Sequence, residues 1–93
     1  MPDKEQYKVL LTEIIKKQIV ILGPDISVLK ARNIKELAVE NDGTVTAING
    51  DPGQALQKLI DEYVSLSGLI VKNIVGTIMS KYPEIKISVD NVI

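Results

Sequence analysis

The chain has 93 residues, which is enough for one small domain with a single core. It contains no Cys and no His, so disulfides, thiolate catalysis and Cys/His zinc sites are excluded, as is the side chain that most readily titrates near neutrality. The formal net charge of −1 is far from the strongly basic composition of a dedicated nucleic-acid binder.

The N-terminal part of the chain predicts two helices. Apolar residues over positions 7–22 recur at three- and four-residue spacing, which is typical of an amphipathic helix. Gly23 and Pro24 end this helix, because Gly suits the position after a helix and Pro suits the first turn of the next. We expect a short second helix over residues 25–32. The predicted inward-facing residues are Tyr7, Leu10, Leu11, Ile14, Ile15, Gln18, Ile21 and Leu22 in the first helix and Ile26 and Leu29 in the second.

Two β-prone segments around Asn41-Asp42-Gly43 predict a β-hairpin, with Gly43 in the left-handed conformation. If Glu40 pairs with Thr44, then Val39 faces Val45 and Leu37 faces Ala47. These four apolar side chains lie on one face of the ribbon, so the predicted register agrees with the hydrophobic pattern.

A long helix is predicted from Pro52 to about Ser80, with Asp51 as its N-cap. Its second half is apolar on most of its circumference, so we expect it to be buried on more than one side. Residues 85–89 alternate apolar and polar side chains and predict a short terminal strand. The predicted fold is a single small α+β domain over residues 1–93, with two N-terminal helices, one β-hairpin, one long C-terminal helix and a short terminal strand.

The acidic and glycine-rich features predict structural roles. Gly50-Asp51-Pro52-Gly53 lacks the spacing of a phosphate-binding P-loop, and its acidic cap opposes an anion. Asp42 lies in the hairpin loop, and Asp61 and Glu62 point in different directions on a helix. We therefore predict that the protein is not an enzyme and that it holds no metal and no cofactor.

Small residues recur along the predicted long helix at Ser65, Gly68, Gly76 and Ser80. Such a stripe allows another helix to approach closely, either the first helix of the same chain or a helix of a second copy. We favour the second copy, because the long helix carries more apolar surface than one hairpin and one helix can cover.

Charge is unevenly distributed along the chain. Residues 1–35 carry seven basic and four acidic groups, whereas residues 36–62 carry one basic and six acidic groups. Unlike faces of two copies could therefore attract each other. These observations predict a non-catalytic interaction or oligomerisation module, a homodimeric accessory or regulatory domain. The absence of a signal sequence or a membrane-spanning stretch predicts a cytoplasmic protein without a membrane partner.

Two alternatives remain open. Lys30, Arg32 and Lys35 cluster just before the hairpin, and the order of elements over residues 5–48 resembles the tail of a winged-helix DNA-binding domain with one expected helix missing. This resemblance implies that residues 25–32 enter the major groove and the hairpin loop forms the wing tip, although that tip is acidic. The second alternative is a sensor that binds a small ligand between the long helix and the sheet.

Overall fold

The structure, a computed structural model, describes residues 3–85, apart from the side chain of Ser67. The α+β class is confirmed: four helices accompany a two-stranded antiparallel hairpin within these residues. The predicted terminal strand lies outside the described residues except for Ile85, which is buried. In chain order the elements are α1 (Lys4–Leu22), α2 (Pro24–Arg32), β1 (Leu37–Val39), β2 (Val45–Ile48), α3 (Pro52–Ser67) and α4 (Leu69–Met79).

The ends of α1 follow the local sequence. Asp3 caps the helix, since its carboxylate accepts the backbone N–H of Gln6 at 2.9 Å. At the other end Gly23, with φ of +90°, donates its N–H to the carbonyl of Ile19. Burial of the predicted inward face is confirmed over Leu10, Leu11, Ile14, Ile15 and Gln18. The prediction is wrong for Ile21, which is exposed at the end of the helix.

Helix α2 is rotated relative to its predicted orientation. Ser27, Val28 and Ala31 are buried, whereas Ile26 and Leu29 are exposed, so the predicted inward pair is wrong. The Tyr63 hydroxyl of α3 donates a 2.7 Å hydrogen bond to the Ser27 carbonyl, and this contact holds the Ser27 side of α2 against α3.

The hairpin has the predicted pairing near its loop but not at its base. Val39 pairs with Val45 as expected, and Glu40 donates its N–H to the Thr44 carbonyl at 2.8 Å. Towards the base, Leu37 pairs with Ile48 rather than Ala47, because Thr46 is the extra residue of a β-bulge. The bulge allows the larger side chain of Ile48 to be buried together with Val45, while Ala47 is only partly buried.

Helix α1 covers the outer edge of β2 with polar side chains spaced one turn apart. The Thr12 hydroxyl accepts the N–H of Val45 at 2.9 Å. The Lys8 and Lys4 ammonium groups donate to the carbonyls of Thr46 at 3.4 Å and Ile48 at 3.1 Å. These three side chains therefore bind backbone groups of β2 that could otherwise pair with a strand of another chain.

The predicted long C-terminal helix is two helices, which is a correction to the sequence prediction. Its start is as expected, because Asp51 accepts the N–H of Gly53 at 3.0 Å and Pro52 begins the first turn. The helix breaks at Gly68, whose φ of +53° and ψ of −112° are accessible to Gly at little cost. The turn allows α4 to pack on both α1 and α3 and to bury Val71, Val75 and Ile78.

Gln18 is a polar residue inside this aliphatic core. It is fully buried, and neither side-chain amide atom has a hydrogen-bond partner among the described residues. We expect Gln18→Met to raise the free energy of unfolding by about 1–2 kcal/mol, because Met replaces a desolvated amide with a flexible apolar side chain of similar length. Urea unfolding of this variant and of the exposed control Gln54→Met measures the effect. A less stable Gln18→Met protein would contradict the prediction.

Candidate interaction surface

Helices α2 and α3 run in opposite directions. Ser27, near the start of α2, contacts Tyr63 near the end of α3. Glu36, which follows α2, pairs with Lys58 in the first half of α3, with an Nζ–Oε2 distance of 2.7 Å. The first turn of α2 therefore lies at the same end of the molecule as the last turn of α3.

Helices α1 and α4 are also antiparallel. Glu13, in the middle of α1, pairs with Lys81 just beyond the end of α4. Lys17, one turn further along α1, lines a shallow cavity of about 260 Å³ together with Asn73, Ile74, Thr77 and Ile78 of α4. The last turn of α1 therefore lies beside the first turn of α4.

The two antiparallel pairs bring the turns at Gly23 and Gly68 to one end of the molecule, which we call the apolar end. Segments 18–24 and 63–71, which build it, contain no Asp, Glu, Lys or Arg. Val20 is 83% exposed and Leu69 is 67% exposed. The apolar end comprises the exposed side chains of Val20, Ile21, Ile26, Leu66, Leu69 and Ile70.

The size of this surface distinguishes it from ordinary exposure of single apolar residues. From the exposed fractions of its six side chains, the apolar end presents roughly 500 Å². The largest apolar patch on a typical monomer is about 300–600 Å² and is often functional. Of the other large exposed apolar residues described, Leu29 lies one turn beyond Ile26 on α2, and Val9 lies in the first half of α1.

The small-residue stripe predicted from the sequence does not lie on one helix. The break at Gly68 separates Ser65 on α3 from Gly76 on α4 and Ser80 at its end. Ser65 and Ser80 donate their hydroxyls to backbone carbonyls three residues earlier, each at 2.7 Å. No heavy atom of another described element lies within 4 Å of a Cβ built on Gly76. The premise of one continuous stripe is therefore wrong, and docking at these residues stays a prediction.

Two of the three cations predicted to contact nucleic acid are engaged within the chain. The Arg32 guanidinium donates to the Val39 carbonyl from Nε at 3.2 Å and from Nη2 at 3.0 Å, and also reaches Asn41. Lys30 lies 3.8 Å from a carboxylate oxygen of Glu62. Lys35 is exposed beyond the end of α2. The Arg32 contacts tie α2 to the hairpin, so this side chain has a structural task.

The perturbed carboxylates also have structural tasks. A hydrogen bond from Lys58 lowers the pKa of Glu36, and the backbone N–H of Thr44 lowers the pKa of Asp42 within the hairpin loop. Over residues 3–85 no group of three or more acidic side chains is arranged to hold a metal ion. The described carboxylates with shifted pKa values therefore stabilise turns and helix contacts.

Comparison with known proteins gave no match to this chain among protein-family models, curated proteins or solved structures. In the part of the chain that the structure describes, no helix is both long enough and apolar enough to cross a membrane. The function is therefore inferred from the surface of the molecule itself.

Proposed function

We propose that the protein is a non-catalytic self-association module, an accessory or regulatory domain that forms a homodimer through its apolar end. The observation that supports this function is the convergence of six exposed aliphatic side chains on two uncharged turns. Water-exposed aliphatic surface of this extent is stabilised by burial against a partner.

The area of the apolar end suits the centre of a dimer interface. A standard interface buries about 800 Å² on each partner, and its centre is apolar while its rim is polar. The apolar end supplies roughly 500 Å² of that area, and the charged residues that border it supply a rim. Because the centre is made of aliphatic side chains without aromatic anchors, we expect a dimer that dissociates in the micromolar range.

Two valines of α1 provide a matched test. Val20 lies at the apolar end, whereas Val9, which is 58% exposed, lies about three turns earlier on the same helix. We expect Val20→Asp to raise the dissociation constant of the dimer at least tenfold, because the carboxylate would lose water in the interface. Sedimentation equilibrium across a micromolar concentration series measures this change.

The control variant Val9→Asp should dimerise like the wild-type chain. Circular dichroism checks that both variants remain folded, as expected for substitutions at exposed positions. Wild-type protein that stays monomeric at the highest concentration, or equal effects of the two substitutions, would contradict the proposed function.

A further inference from the structure

We infer that two charged residues at the border of the apolar end, Lys17 and Asp25, determine how the two copies are oriented. In this arrangement Lys17 of each copy meets Asp25 of the other across a two-fold axis. The inference rests on the proposed function, because it concerns the geometry of the same interface.

The charges that border the apolar end are separated by sign. Lys17 lies one helical turn before Val20 and Ile21 on α1. Lys72 lies on the adjacent helix α4, less than one turn after Leu69. The α1 and α4 half of the border is therefore basic.

The opposite half of the border carries negative charge. Asp25 is exposed in the first turn of α2 and directly precedes Ile26, which belongs to the apolar end. The cation nearest to it along α2 is Lys30, which is already paired with Glu62 of α3. On the α2 and α3 half of the border, the carboxylate of Asp25 is therefore not neutralised by a free cation of either helix.

Within residues 3–85, the bordering charges Lys17, Lys72 and Asp25 take part in no ion pair and no side-chain hydrogen bond, which is also true of Lys16, Lys35 and Glu40. Four other lysines are paired with glutamates of the same chain, namely Lys8 with Glu5, Lys30 with Glu62, Lys58 with Glu36 and Lys81 with Glu13. The unpaired charges are thus free to bind charges of a second copy.

With two-fold symmetry, the separation of basic and acidic charge on one copy can make its surface complementary to that of the second copy. In a two-fold interface the same surface of both copies is used, so a contact from residue i to residue j is repeated from j to i. If the axis runs along the boundary between the basic and acidic halves, each basic half faces the acidic half of the partner. An axis perpendicular to that boundary would place Lys17 near the other Lys17, and like charges oppose this arrangement.

Charge reversal tests the orientation. We expect Lys17→Asp and Asp25→Lys each to weaken homodimerisation about tenfold, because each converts two attractive contacts into two repulsive ones. The double variant with both substitutions should regain the wild-type dissociation constant, since its reversed charges are again complementary. An equimolar mixture of the two single variants should form a heterodimer in preference to either homodimer, as measured by native mass spectrometry.

Lys35→Asp is the matched control, because Lys35 is an exposed cation beyond the opposite end of α2. It should leave dimerisation unchanged, and thermal unfolding should show that every variant is folded. If the wild-type chain dimerises but the single reversals have no effect, or if the double variant does not recover, the inferred orientation is wrong while self-association stands. A monomeric wild-type chain would instead overturn the proposed function and this inference with it.

Discussion

Replacement of Tyr63 by Ala is expected to lower the free energy of unfolding by about 3–5 kcal/mol. Tyr63 is fully buried on α3, and its hydroxyl donates a 2.7 Å hydrogen bond to the Ser27 carbonyl of α2. The substitution would remove the largest fully buried side chain of the described residues and also its hydrogen bond to α2. Urea unfolding followed by circular dichroism measures the loss.

The conservative variant Tyr63→Phe separates the two contributions. It keeps the ring and removes only the hydroxyl, so we expect a loss of about 1 kcal/mol. If Phe costs as much as Ala, packing of the ring contributes little and the prediction is wrong.

The same residue gives a pH dependence with a defined sign. Burial raises the pKa of the Tyr63 phenol well above its ordinary value. The unfolded chain therefore loses this proton first, and the contribution of Tyr63 to stability declines as the pH rises above about 10. Tyr63→Phe should lack that part of the decline, which unfolding experiments at neutral and high pH can measure.

Gly43→Ala is expected to have the second largest effect, a loss of about 2–4 kcal/mol in the free energy of unfolding. Gly43 has φ of +92°, which an L-residue rarely adopts. A Cβ at this position would also lie 2.9 Å from Ile15 Cγ2 and 2.9 Å from Ile19 Cδ1 of α1. Backbone strain and overpacking therefore act together at the hairpin loop.

Two other glycines separate these causes. Gly23 has a similar φ of +90°, and Gly76 lies within α4 without a positive φ, but neither has a heavy atom within 4 Å of an added Cβ. We expect Gly23→Ala to show the backbone cost alone and Gly76→Ala to stabilise the protein by about 1 kcal/mol, because Ala favours helix over Gly. Equal losses for Gly43→Ala and Gly23→Ala in urea unfolding would show that the contact with α1 costs nothing.

Features set by local chemistry could be predicted from the sequence. The cap at Asp51, the stop at Gly23 and the left-handed Gly43 each depend on a few neighbouring residues, and all three are confirmed. The sequence did not predict the bulge at Thr46. The alternation of apolar and polar residues does not show that burial of Ile48 is more favourable than regular strand pairing. Gly68 gave a signal for a break, but an isolated Gly within a long apolar pattern is also compatible with a continuous helix.

The surface proposed for self-association was predictable only in part. The sequence indicated that the segment around Leu69 and Ile70 carries more apolar surface than the chain can bury, and both side chains are exposed. It did not indicate that Ile21 and Ile26 are exposed as well, because helical periodicity identifies an apolar face without showing what packs against it. The antiparallel packing that brings the two turns together depends on contacts distant in sequence.

Polar side chains that cover the edges of the hairpin disfavour the addition of a strand from another chain. Lys4, Lys8 and Thr12 occupy backbone groups along one edge of the hairpin, and Arg32 occupies the Val39 carbonyl on the other strand. A neighbouring chain would have to displace these side chains before it could add a strand, so growth of an open fibre along the sheet is disfavoured. In the proposed homodimer, a two-fold contact at the apolar end would use the same surface of both copies, so the assembly would close at two chains.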